Sequence, residues 1–201
     1  IKIVDVLTNF PKETSADGSM ATVNLKDLQS EEEKDILVKH TLCTLSEPMS
    51  AQPLLRATLH YDNPTEDLPF RSGEIAVVTL NRPSPDAPEA INPEVNSAVD
   101  LQLNRVTVVN AFVEATALAD QGQFEMAQQC LKNAEESVHG SSSSHMAGDL
   151  LTSMGSGMRS MGSAQQYNNY GAKVTKCALM SFQQQRFNSG STGFISGFGS
   201  Q

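Results

Sequence analysis

Residues 103–131, LNRVTVVNAFVEATALADQGQFEMAQQCL, constrain the chain more than any other stretch. Two apolar-periodic runs meet at Asp120-Gln121-Gly122-Gln123, a turn signal, and so read as two amphipathic helices folded back on each other. On the first helix, expected over about 93–119, Val95, Val99, Leu103, Val106, Val113 and Ala117 form one stripe, and Leu101, Val108, Phe112 and Ala115 a second. A helix apolar over more than half its circumference is expected to have partners on two sides. Its start is expected at Asn92-Pro93-Glu94, where a capping amide, a proline at the first helical position and an acid near the dipole coincide. The second helix carries a single stripe, Phe124, Ala127, Leu131, Ala134 and Val138. The pair resembles a tetratricopeptide hairpin, yet no second copy follows at the 34-residue period such arrays require. A single helical hairpin within a bundle is the better reading.

Two further helices are expected. One, about 146–161, carries Leu150, Met154, Met158 and Met161, with Gly148, Gly155 and Gly157 each weakening it by about 1 kcal/mol relative to alanine. The other, about 164–187, sets Tyr170, Val174, Cys177 and Ser181 beside Ala178, Leu179 and Phe182. Between the hairpin and these helices, Gly140-Ser141-Ser142-Ser143-Ser144 reads as a flexible link.

Residues 1–81 follow a different period. Segments 1–7, 20–25, 35–45, 53–61 and 74–80 are strand-like, with Ala16-Asp17-Gly18-Ser19 a loop tip, and five such strands suit a small sandwich. In 35–45, Ile36, Val38, His40 and Leu42 share the face better suited to a core. The segment 82–93, RPSPDAPEAINP, holds four prolines and marks a boundary. The expected fold is therefore α+β: an N-terminal antiparallel β-sandwich (1–81), a proline-rich linker (82–93), a C-terminal bundle of three to four helices (94–187) and a Gly/Ser/Phe tail (188–201). In that tail Phe194, Ile195 and Phe198 are candidate interaction residues, since they are apolar anchors in an otherwise polar segment.

Composition limits the function. A net charge of −9 opposes nonspecific attraction to nucleic acid or anionic lipid, so neither partner is expected. No run of about 18 apolar residues could span a bilayer, and no secretory signal opens the chain. It begins at Ile1 in what reads as the middle of a strand, as a fragment or processed product would. Cys43, Cys130 and Cys177 are widely spaced, and buried free thiols in the cytoplasm are expected for all three. His40, His60, His139 and His145 form no zinc pair, Glu31-Glu32-Glu33 reads as a solvated loop, and Gly155-Ser156-Gly157 as a linker without the lysine of a phosphate cradle. No catalytic residue, metal site or cofactor is expected. A hydrolase would instead require a pocket joining His40 or His60 to a carboxylate.

The segment Asn24-Leu25-Lys26-Asp27-Leu28-Gln29-Ser30-Glu31-Glu32-Glu33-Lys34-Asp35-Ile36-Leu37-Val38 resembles the pattern that follows the von Willebrand factor A domain in a eukaryotic group of multidomain proteins, which includes plant RING-type ubiquitin ligases and proteins with an intein-like region. Leu103-Asn104-Arg105-Val106, the Gly122 hairpin, Tyr170-Gly171-Ala172-Lys173 and Ser181-Phe182-Gln183-Gln184-Gln185-Arg186 are similar to the helical segment of that group. The likeness covers most of residues 20–187. It implies a non-enzymatic protein–protein interaction or assembly region, whose sandwich is completed by strands or domains from the rest of a longer chain. The alternative is a substrate-recruiting region of a RING-type ubiquitin ligase. This chain has neither the DxSxS signature of a metal-binding A domain nor a RING cysteine framework, so neither activity is carried onto its residues.

Overall fold

In the computed structural model, residues 1–28, 32–63, 70–91 and 94–185 are described. Among the described residues, eight strands precede the main helices: β1 (Lys2–Leu7), β2 (Lys12–Thr14), β3 (Ala21–Val23), β4 (Leu37–Thr41), β5 (Met49–Ala57), β6 (His60–Tyr61), β7 (Arg71–Ser72) and β8 (Ala76–Arg82). They pair two by two, as β1-β4, β2-β3, β5-β8 and β6-β7. The helices are α1 (Pro88–Ile91), α2 (Ser97–Asp120), α3 (Phe124–His139), α4 (Gly148–Ser160), α5 (Ala164–Gln166) and α6 (Ala172–Gln184). The protein is thus mixed α+β, four of its helices long enough to build a core. Among the described residues, no helix is long and apolar enough to cross a membrane.

Two compact units emerge. One comprises residues 1–2 and 41–94, the other residues 3–40 with the helical residues from 95 onward. Residues 3–40, assigned on the sequence to the same β region as 41–81, therefore cluster with the helices. The physical reason is a set of polar contacts at the end of α6. Lys34 Nζ donates to the Gln184 carbonyl, the Asp35 N–H donates to Gln185 Oε1 at 2.6 Å, and Gln185 Nε2 donates to the Asp35 carbonyl at 2.7 Å. A cation on the terminal carbonyls of a helix also complements its dipole. Lys34 is ion-paired to Glu32, both side chains nearly buried, so this acid is structural and not the solvated loop charge expected.

The helical core is one cluster around Val108, Phe112, Leu131, Val138, Met154, Met161 and Phe182. The start of α2 lies at Asn96, whose side chain accepts the Val99 N–H at 3.1 Å, one turn beyond the expected Asn92. Along α2 the second stripe is core, with Val108, Phe112 and Ala115 buried together with Val109, Ala111 and Ala119, whereas Val99, Leu103 and Val113 of the first stripe, and Val95 just before the helix, are exposed. The expectation of partners on two sides is met within the unit, where α3 and α6 both pack on α2. The α3 stripe lies as expected, with Ala127, Leu131, Ala134 and Val138 buried and Phe124 partly so. Between the two helices Gly122 takes φ 79°, a backbone angle side chains disfavour, and this sets the turn.

Two expectations based on glycine and serine are corrected, and one on the stripe of the fourth helix. The segment 140–144 is not a flexible link: Ser143 is fully buried, Asn104 Nδ2 donates to Ser141 Oγ at 2.7 Å and to Ser143 Oγ at 2.9 Å, and the Ser143 N–H donates to Asp100 Oδ2 at 2.8 Å. Gly155-Ser156-Gly157 is not a linker but the third turn of α4, where Gly157 is buried against Phe112 and Leu131. The fourth helix is interrupted by a π-helical turn, Tyr167–Gly171, which re-aims its faces. Its buried set is Tyr167, Gly171, Thr175, Ala178 and Phe182, while Tyr170 and Cys177 are exposed. A side chain on Gly171 would overlap the Ser160 carbonyl oxygen. Thr175 Oγ1 is satisfied by donating to the Gly171 carbonyl at 2.8 Å, with Ser160 Oγ at 3.3 Å.

Candidate interaction surfaces

In the unit formed by residues 1–2 and 41–94, the longest ladder is β5-β8. The strands run antiparallel, with Arg56 opposite Val77, Leu55 opposite Val78 and Ala57 opposite Ala76, and two register shifts along β5. Ala51, at a shift, has φ 52°, and its N–H is held by Asn81 Oδ1 at 2.8 Å. Such a bulge bends and twists the strand. Neighbouring residues on a strand point to opposite faces, yet Val77 and Val78 are 52% and 47% exposed. Both faces of the ribbon are therefore apolar and open, and Met49 and Ile75 extend the exposure. Among the described residues, β5 and β8 each pair with one strand only, which leaves one edge of each with unpaired backbone donors and acceptors. Near one end of the ribbon an open groove of about 670 Å³ is bordered by Pro48, Met49, Asn81, Arg82 and Glu94. Arg82 Nη1 donates to the Cys43 carbonyl at 2.6 Å and fixes that border.

The helical unit has its own unpartnered apolar surface. Val99, Leu103 and Val113 of α2, with Val95 just before it, are exposed, and Met126 of α3 is also exposed. A shallow groove of about 580 Å³ follows the α2–α3 seam past Ala111, Leu118, Met126 and Cys130. Burial first, then the nearby Glu114 carboxylate, pushes the Cys130 thiol up to about 11, which disfavours its nucleophilic thiolate. The expected burial of all three cysteines does not hold, since Cys43 and Cys177 are exposed and Cys130 is half-buried, although all three are free.

A smaller cavity, about 180 Å³, lies in the helical unit between the β1–β2 segment, α2 and the end of α6, with Asp5, Asn9, Lys12, Arg105, Asn110 and Gln183 in its wall. Lys12 Nζ pairs with Asp5 Oδ1 at 2.7 Å and also donates to the Val6 carbonyl. That hydrogen bond is the main cause holding the Asp5 carboxyl below its ordinary range. Arg105 is half-buried, and desolvation is the main influence lowering its pKa, partly offset by the Asp35 charge. Its Nη2 donates to the Asp35 carbonyl at 3.4 Å, and among the described residues its buried Nε has no acceptor.

The remaining sequence candidates are scattered. His60 stacks on Phe70 with centroids 5.7 Å apart, His40 lies in β4 with a buried, unpartnered Nδ1, and neither lines the cavities above. Asp17 is a turn residue: the Ser15 hydroxyl first, then the Ser19 N–H and hydroxyl, hold its pKa at about 2. Among the described residues, no group of three or more His, Cys, Asp or Glu side chains could hold a metal ion. Phe194, Ile195 and Phe198 lie outside the described residues. The chain matches no family model, no curated protein and no solved structure.

The ribbon and the Arg105 cavity escaped the sequence reading for different reasons. A run such as Ala76–Arg82 looks the same whether its valines face a core or solvent. The cavity joins residues from three distant segments, and nothing local marks Arg105 as a cation without a direct ion pair among the described residues.

Proposed function

We propose that this chain is a non-enzymatic interaction and assembly region of a von Willebrand factor A-type protein, working in the cytoplasm, whose β-sandwich is completed by strands from elsewhere in a longer polypeptide. The supporting observation is the β5-β8 ribbon, exposed on both faces at Val77 and Val78. A two-stranded ribbon alone is marginal in water, and three or more strands with a covered apolar face are needed for independent stability. Added strands would satisfy the open backbone edges and bury the valines together, which is how edge-strand recognition obtains affinity. Burying the half of each valine that is still exposed would contribute about 1 kcal/mol each before ordering costs. The exposed α2 stripe offers a helix-face contact of the same kind, and the tail residues Phe194, Ile195 and Phe198 a third.

The test compares amide exchange in this chain alone and within the longer protein read from the reading frame upstream of Ile1. Completion of the sheet requires the β5 and β8 amides to exchange at least about 100-fold more slowly in the longer protein, the protection expected from about 2.7 kcal/mol of added local stability. Equal exchange in both would refute it. A pull-down with the longer protein, with and without residues 189–201, tests the tail, whose role requires loss of partners on truncation.

A further inference from the structure

The Arg105 cavity is not needed for completing the sandwich, yet its wall is chemically selective. Of its two cations, Lys12 is neutralised by Asp5 at 2.7 Å. Arg105 is not: among the described residues no carboxylate lies within ion-pair distance of its guanidinium, and its buried Nε has no acceptor. Around it stand Asn9, Asn110 and Gln183, whose side-chain amides make no hydrogen bond among the described residues. The Nε of this guanidinium is a buried donor left without its acceptor, and buried donors are normally satisfied, while the three amides beside it are open to a ligand.

We propose that this cavity binds a carboxylate carried on the acidic side chain of a partner peptide, with Arg105 as the recognition residue and the three amides pairing the peptide backbone. The planar fork of Arg105 matches a carboxylate's two oxygens. A dianion such as phosphate fits less well, because its second charge would face the Asp5 carboxylate and only one cation is left to balance it. The volume, about 180 Å³, is below that of drug-sized pockets and suits the end of one side chain. Asn9 and Asn110 are exposed, so a peptide can reach them from solvent. The site lies in the helical unit and the ribbon in the other, so failure of either proposal leaves the other standing.

The experiment is an NMR titration of the full chain with acetyl-Ala-Ala-Glu-Ala-Ala-amide and with its Gln counterpart. The expected result is binding near about 1 mM for the Glu peptide, with shifts at the Arg105 Nε–H and at the Asn9, Asn110 and Gln183 amide groups, and at least tenfold weaker binding of the Gln peptide. Arg105→Gln should abolish the difference. Asn110→Asp, at an exposed helical position where folding is not at stake, should weaken the Glu peptide at least tenfold by placing a like charge in the cavity. Sodium acetate and inorganic phosphate complete the series. Acetate binding as well as the Glu peptide would overturn the peptide assignment, tighter phosphate binding would overturn the preference for a single charge, and equal binding of the two peptides, or no shift with either, would overturn the site.

Discussion

Gly157 lies so close to Phe112 that a Cβ added there would stand 2.7 Å from Cε1 of the ring and 3.2 Å from Leu131 Cδ1. The glycine is therefore a packing element that lets α4 reach the α2–α3 hairpin. Gly157→Ala should destabilise the protein by about 1–3 kcal/mol, the usual cost of overpacking. Two residues away, a Cβ on Gly155 meets only the far end of Arg159, at 3.6 Å, so Gly155→Ala should stabilise by up to about 1 kcal/mol through helix propensity. Urea midpoints of the two variants should move in opposite directions, and a parallel shift would disprove the contact.

Tyr167 donates its hydroxyl to Asp120 Oδ1 at 2.6 Å, across 47 positions of sequence. Burial first, and then that carboxylate, raises the phenol pKa above its ordinary 10.0. A raised acid favours the protonated form in the folded state. Its contribution to stability is complete below pH 10.0 and is lost as pH rises through the folded pKa. Tyr167→Phe should lower stability at neutral pH by about 1–2 kcal/mol and make the decline above pH 10 less steep. Thermal melts between pH 8 and about 11.5, bracketing the free phenol pKa, check both.

Asn104 secures the serine loop through Ser141 and the fully buried Ser143. Asn104→Ala strands the Ser143 hydroxyl without its donor and should cost about 1–3 kcal/mol. Ser141→Ala should cost less, because Ser141 is only partly buried. Cleavage by subtilisin within 140–144 should accelerate in Asn104→Ala. A loop equally resistant in both proteins would show that the asparagine does not hold it.

The three thiols should separate by reactivity. Cys43 and Cys177 are exposed, while Cys130 is half-buried with its pKa pushed up to about 11. At pH 8, iodoacetamide should label the first two well before Cys130, as mass spectrometry of timed aliquots would reveal. The lag should shrink as pH approaches 11, where the Cys130 thiolate becomes populated. Equal rates at pH 8 would contradict it.

The helical hairpin was legible because its signal is local: the α3 stripe and the Gly122 turn are each written within a few turns of chain. Strand positions were legible for β1, β3, β4, β5 and β8, and the expected strand 53–61 also spanned β6 without separating it from β5, but β2 and β7, of three and two residues, were not. What escaped the periodicity is more instructive. Gly157, Gly171, Ser143, Ser160 and Thr175 are core residues that no hydropathy stripe counts. They are buried because close approach or an internal hydrogen bond satisfies them. Conversely, Val99, Leu103 and Val113 have the right spacing and yet face outward. Among the candidate sites, the apolar ribbon needed pairing information and the Arg105 cavity needed tertiary proximity, neither of which a single sequence carries.

The clasp of Lys34 and Asp35 on Gln184 and Gln185 joins residues 150 positions apart. On a ribosome adding about 5–20 residues per second, roughly 8–30 seconds separate the synthesis of its two halves. The α2–α3 hairpin can close early from its own neighbours, but the clasp of Lys34 and Asp35 must wait for the last helix to emerge. During that interval the strands of residues 3–40 are open to pairing with other chains.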